Sequence, residues 1–146
     1  MADPFKDGLD AYNSGDYVTA LRLWRPLTEQ GDARAQHNLG YMYDEGQCVR
    51  QDFAEAVKWY RLAAEQGYAD ARYNLGFMYD TGQGVRQSRV QAHMWFNLAA
   101  SRWPPGEDRD MAVKRRDRLA EAMTPAQIAE AQKLARQWKP VGERAE

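Results

Sequence analysis

The sequence predicts an all-α protein built from stacked helical hairpins, and three observations carry that prediction. Residues 31–66 and 67–102 align without a gap, with 19 of 36 positions identical. Within each copy the apolar residues recur at the three- and four-residue spacing of a helix face. An earlier and shorter copy precedes the pair, because Ala20, Ala56 and Ala92 fall 36 apart, as do Trp24, Tyr60 and Phe96. A tandem period of this size marks units that cannot bury an apolar face alone and stack to do so.

The opening unit, residues 4–30, contributes an amphipathic helix through Ala20, Leu23, Trp24 and Leu27. Each clear copy then predicts two helices. The first spans 33–44 and again 69–80, with Ala35, Leu39, Met42 and Tyr43 on one face. Asp32 stands where a helix start needs a side-chain acceptor, and Gly46 and Gly82 stand where a left-handed residue ends one. The second helix begins at Asp52 or Ser88, each followed at the capping-box spacing by Glu55 or Gln91. Ala56, Trp59, Tyr60, Ala63 and Ala64 supply its buried stripe, and Trp59 and Trp95 are read as core.

Gly40 and Gly76 lie inside helices, where glycine costs about 1 kcal/mol relative to alanine. The same cost at the same register in both copies predicts a ring or backbone in close approach. The last third departs from the repeat at Trp103-Pro104-Pro105-Gly106. A helix over 108–122 follows. A second starts at Thr124-Pro125-Ala126-Gln127, where cap, proline and glutamine agree, and ends at Pro140. Residues 103–146 are therefore expected to close the stack as degenerate capping helices within one domain of 146 residues.

Composition excludes several function classes. Hydrophobic residues make up 44% and charged residues 28%, with a net charge of −1. Long-range attraction to nucleic acid or anionic membrane is not expected from that balance. No apolar run approaches the ~20 residues that span a bilayer. Met-Ala-Asp-Pro-Phe-Lys lacks the regions of a signal peptide, so the chain reads as cytoplasmic as written, or as periplasmic or secreted where a leader was trimmed from it. His37 and His93 occupy different repeat positions and neither has a partner at metal-ligand spacing, so no metal and no cofactor are expected. Cys48 has no adjacent base and is read as a loop thiol. The basic run Lys114, Arg115, Arg116 and Arg118 follows acidic residues on its helix and is read as a solvated face, with a docking patch for an acidic partner as the alternative.

The in-register Ala-x-x-x-Leu-Gly-x-x-Tyr, Gly-x-x-Val and Ala-x-x-Trp with Leu-Ala-Ala resemble the Sel-one-like repeat, a relative of the tetratricopeptide repeat. The opening unit, with Gly8, Gly15-Asp16-Tyr17 and Ala20, is more similar to a plain tetratricopeptide unit. The resemblance implies a right-handed α/α superhelix that binds proteins or peptides and has no chemistry of its own. It also implies a concave surface lined by the first helix of each hairpin. On those helices Arg34, His37, Asn38, Tyr41 and Asp44, then Asp70, Tyr73, Asn74, Phe77 and Asp80, fall on the arc away from the Leu39 and Leu75 stripes. Rings flanked by amides and charges suit a peptide groove.

Tyr41 and Phe77 are open to two readings, as groove walls or as packing between units, and Asn38 and Asn74 either face the groove or satisfy local backbone. The expected function is a non-catalytic adaptor, monomeric or weakly self-associating. Two other classes stand beside it. One is a small hydrolase on the same surface, although the chain has neither the paired cysteines of β-lactam-processing relatives nor a Ser-x-x-Lys element. The other is a self-associating module with Trp103 and Trp138 near an exposed end.

Overall fold

The computed structural model describes residues 2–144. It places eight α-helices along the chain: α1 (Pro4–Asn13), α2 (Tyr17–Glu29), α3 (Ala33–Glu45), α4 (Phe53–Glu65), α5 (Ala69–Thr81), α6 (Arg89–Arg102), α7 (Glu107–Glu121) and α8 (Pro125–Gln137). A short 3₁₀ turn (Val141–Glu143) follows, and among the described residues there is no strand. Helices α1–α2, α3–α4 and α5–α6 pack as hairpins, and each hairpin packs on the next through α2–α3, α4–α5 and α6–α7. The architecture is a helical repeat solenoid, as the period of the sequence predicts.

Local chemistry accounts for the ends. The Asp32 carboxylate accepts from the Arg34 and Ala35 amides, Asp52 accepts from Glu55 N–H, and Ser88 Oγ from Gln91 N–H. The reciprocal half of a capping box forms only at Thr124 and Gln127. Gly46 and Gly82 end α3 and α5 at φ of 68° and 74°. The two hairpin loops are then built alike: Gln51 donates to the Asp44 carbonyl and Gln87 to the Asp80 carbonyl, both at 2.8 Å. Cys48 takes φ 62° where Gly84 takes 74°, so the substitution leaves the loop shape intact. Only Gly84 is confined, since a Cβ there would sit 2.3 Å from the Phe53 carbonyl oxygen.

The helix-interior glycines each receive a ring. A Cβ on Gly40 would lie 2.8 Å from Tyr60 Cδ1, and one on Gly76 would lie 3.0 Å from Phe96 Cδ1. Gly8 repeats the contact in the opening unit, 2.3 Å from Trp24 Nε1. Trp24, Tyr60 and Phe96 are accordingly the largest fully buried side chains. The neighbouring series behaves differently. Trp95 is buried as expected, but Trp59 is only half-buried and its ring lies under the Lys58 ammonium. That corrects its reading as core: α6 gains a cover from α8 that α4 lacks at this position.

The last two helices do not interlock as a hairpin of the earlier kind. Both lie on α6. Leu119, Met123 and Ala131 close around Phe96, while Leu134, Ala135 and Trp138 reach the cluster formed by α4, α5 and α6. Arg72 is buried beneath Trp138, with its guanidinium 4.3 Å from the ring centre and donating to the carbonyls of Ala64 and Leu98. Burial beside Arg102, with no carboxylate partner among the described residues, lowers its pKa to about 10. Arg144 then pairs with Glu65 at 3.1 Å. The tail thus runs back along the second helices and leaves the first-helix side of the stack open.

The basic run on α7 also departs from a solvated face. Arg115 Nε–H donates to the Tyr73 hydroxyl, Arg116 donates to Asn97, and both are half-buried, while Lys114 and Arg118 stay exposed.

The ring-on-glycine contact predicts an unusual sign for a helix mutation. Alanine in place of an exposed helical glycine stabilises by about 1 kcal/mol, whereas overpacking a core costs about 1–3 kcal/mol. Gly40→Ala should therefore lower the urea midpoint, and Gly76→Ala should lower it less because its ring stands slightly further off. A raised midpoint for Gly40→Ala would mean that Tyr60 moves aside freely.

Candidate functional site

The first helices α1, α3, α5 and α7 present one side of the solenoid, and two cavities adjoin there. The larger holds about 470 Å³ between α3, α5 and α7. Its walls are His37 and Tyr41 from α3, Tyr73 and Asn74 from α5, and Trp103 and Met111 near and on α7, with Asp70, Glu107 and Asp108 at its rim. The smaller, about 200 Å³, lies between α1 and α3 and is lined by Leu9, Tyr12, Asn13, Trp24 and Asn38. His37 and Tyr41 belong to both and form the wall between them.

His37 is the centre of the arrangement. Its Nε2 accepts from the Asn74 amide at 2.9 Å, across two units, which assigns the ring proton to Nδ1. Nδ1 faces Asn38 Oδ1 at 3.1 Å and donates to it. Two asparagines at the same register position thus hold one imidazole from opposite sides. Rings complete the seat, with Tyr60 and Tyr68 centred 5.7 and 5.4 Å away. Tyr68 occupies the position of the capping Asp32 and gives α5 no side-chain cap. Its ring packs on His37 instead. Burial holds the His37 pKa below its ordinary value, with the Asp70 carboxylate and the Asn38 hydrogen bond pulling the other way.

The remaining residues read from the sequence divide between groove and scaffold. Tyr41 is exposed, at 39% of its surface, and stands in the groove. Asp70 and Asn74 line the larger cavity. Tyr73 does so too, with its ring against Phe96 and Trp103 and its hydroxyl held by Arg115. Phe77 lies beneath the Arg115 guanidinium, 5.4 Å from ring centre to charge, and packs into both neighbouring core clusters without lining either cavity. Arg34 turns away, paired with Asp32 at 2.9 Å and stacked on Phe5. Asp44 accepts from the Tyr60 hydroxyl at 3.0 Å, and burial with this carboxylate raises the phenol pKa far above the ordinary value. Asp80 has no such donor because Phe96 replaces Tyr60; it borders a separate cavity with Arg89, Arg115 and Arg118.

Sequence reasoning did not select Trp103, Glu107, Asp108, Met111, Leu9 or Tyr12 as groove residues. The reason for α7 is a register shift. Helices α3 and α5 start 36 residues apart, at 33 and 69, whereas α7 starts at 107, a further 38. Fixed spacing from the repeat therefore misses the α7 positions by two residues, which Pro104-Pro105 in the preceding linker absorb.

A Sel1 repeat model matches residues 33–68 and 69–102, the two hairpins that build the His37 seat. A Sel1 repeat protein from Oxalobacter formigenes, known as a crystal structure, is 34% identical, covering 79% of this chain and 86% of its own, with a TM-score of 0.68. The chain belongs to the Sel1 repeat family. A protective antigen of uropathogenic Escherichia coli strains that displays an SLR fold superposes with a TM-score of 0.84 at 28% identity over 92% of this chain. The present chain spans 29% of that protein's length. No curated protein matches the sequence. Repeats of this family generally serve as protein–protein interaction modules, and among the described residues no helix is long and apolar enough to cross a membrane.

The depressed His37 pKa makes a stability prediction with a definite sign. A buried imidazole that stays neutral when folded is easier to protonate when unfolded, so stability is complete above about pH 6.5 and is lost as pH falls through that value. His93, lowered by burial and by Arg116, acts in the same direction. Urea midpoints should fall between pH 7.5 and 5.5, and the fall should be smaller in His37→Gln, whose amide can still accept from Asn74. An equal fall in wild type and in His37→Gln would contradict this account.

Proposed function

We propose that this Sel1 repeat protein is a non-catalytic adaptor that holds an extended segment of a partner protein along the side formed by α1, α3, α5 and α7. The observation that carries the reading is the pair of adjoining cavities divided by Tyr41 and His37. Tyr41 remains exposed although Tyr43, Phe53 and Tyr60 of the same repeat are packed into the core. An aromatic side chain with a free face and fixed neighbours supplies contact area at little entropic cost. The amides of Asn38 and Asn74 fix the floor through His37, so the groove exists before a partner arrives, which lowers the ordering cost of binding.

The same reading treats residues 4–30, 31–66 and 67–102 as three units of one domain and 103–146 as its closure. Support comes from α8, which packs along α6, and from Arg144 beyond it, which pairs with Glu65. A closure on that side leaves the groove to a guest.

The proposal separates two residues that the repeat makes equivalent. A displayed library of random decapeptides should yield binders to the wild type whose complexes shift the backbone amides of Tyr41 and Asn74 in NMR spectra. Tyr41→Ala should lose those binders while its thermal melt changes little. Phe77→Ala should lower stability by about 3–5 kcal/mol, as expected for a packed ring. Retained peptide binding in Tyr41→Ala, or unfolding of that variant, would place Tyr41 outside a binding surface.

A further inference from the structure

The larger cavity is not merely aromatic, and its charge is confined to one rim. Asp70 lies in the first turn of α5, and Glu107 and Asp108 lie in the first turn of α7. All three border the space enclosed by Tyr41, Tyr73 and Trp103. Among the described residues none of the three takes part in an ion pair. The two helix starts offset about half a charge each, which leaves the rim negative. The adjoining smaller cavity is lined by no carboxylate. At the far end of the α5–α7 seam the charge reverses, with Arg89, Arg115 and Arg118 around Asp80.

A second pattern concerns the rings themselves. Elsewhere the chain sets its own cations over its aromatic side chains: Arg34 over Phe5, Lys58 over Trp59, Arg61 over Tyr79 and Arg72 over Trp138. In the larger cavity Arg115 lies over Tyr73, but among the described residues Tyr41 and Trp103 have no cation of this chain above them. Ring faces and unpaired carboxylates around one cavity of about 470 Å³ are complementary to a cation on a slender stem.

We infer that this cavity receives the cationic side chain, arginine or lysine, of an extended partner segment. The inference rests on the groove reading and adds the chemistry of the residue that enters it. The stem lies against Met111 and the rings, and the charged head reaches the rim formed by Asp70, Glu107 and Asp108. The three rim carboxylates are exposed, so their attraction for the head group is solvent-screened and added salt weakens it further. The positive end of the seam opposes the reverse docking of such a segment and so gives it a direction.

The test uses the full chain and two small probes. N-acetyl-arginine methylamide is titrated while the Trp103 indole N–H and Met111 methyl signals are followed, with N-acetyl-citrulline methylamide as its neutral isostere. Saturable shifts are expected with the arginine compound and not with citrulline. The affinity should fall about 10-fold, equivalent to one 1.4 kcal/mol step, in the variant Asp70→Asn, Glu107→Gln, Asp108→Asn. Met111→Lys places a cation in the cavity while leaving the helix-start carboxylates in place, and it should abolish the Trp103 shift with an unchanged melting temperature. Equal shifts for the two probes, or full affinity in both variants, would overturn the inference. The random-decapeptide library distinguishes this failure from failure of the groove. Binders that depend on Tyr41 but show no enrichment in arginine or lysine would leave the groove and remove its cationic specificity, and a library without binders would remove both.

Discussion

Everything on the open side depends on a contact buried at the centre of each hairpin, the seating of one ring on a helical glycine. Trp24 on Gly8, Tyr60 on Gly40 and Phe96 on Gly76 let paired helices approach more closely than a Cβ would permit. Close approach fixes the rotation of each first helix about its axis. Rotation in turn decides which residues reach the open side. A helix turned by one residue, about 100°, would bury Tyr41 and expose part of the Leu39 stripe. The glycines thus give up helix propensity and gain geometric definition, a trade that makes sense only where the position of a surface matters.

That definition passes from unit to unit through polar contacts. At one register position Gln36 donates to the Thr28 carbonyl, while its repeat equivalent Arg72 donates to those of Ala64 and Leu98. Both side chains are buried, and both satisfy carbonyls at the ends of neighbouring helices. The exchange of glutamine for arginine alters the charge and not the task, because the longer side chain also reaches under Trp138 and so ties α8 to the stack. A buried guanidinium with hydrogen-bonded carbonyls and a ring face is tolerable where a bare charge is not. The tail is therefore anchored on the second-helix side by the same position that, one unit earlier, only links helices.

The fold was legible in the sequence because its causes are local and repeated. Period, capping residues and glycines at fixed register each report a short-range constraint, and two copies identical at 19 of 36 positions state most of these constraints twice. The site was less legible for two physical reasons. Groove positions on α7 lie outside the 36-residue register, displaced by a linker whose prolines leave no repeat signal. Exposure of a ring is also set by what covers it, and cover comes from distant chain: Arg115 lies over Phe77, whereas among the described residues no cation lies over Tyr41. Two positions equivalent in the repeat thus have different surroundings, and no reading of the repeat alone separates them. Trp59 and Trp95 differ for the same reason, since α8 covers only the second.

The divergence between the two copies follows this division of labour. Along α3 and α5 the paired residues Leu39 and Leu75, Gly40 and Gly76, and Met42 and Met78 are identical and buried. The differing pairs include Asp32 and Tyr68, His37 and Tyr73, and Tyr41 and Phe77. Each of these three pairs contributes a group to the groove or to the seat of His37. Asn38 and Asn74 are identical yet not redundant, since one accepts from the imidazole and the other donates to it. A symmetric pair of residues has been recruited to hold an asymmetric centre. The exchanges of His37 for Tyr73 and of Tyr41 for Phe77 make successive stretches of the groove unlike. Under the proposed function such a groove suits a segment of non-repeating sequence, because a repetitive guest would meet a different environment at every step.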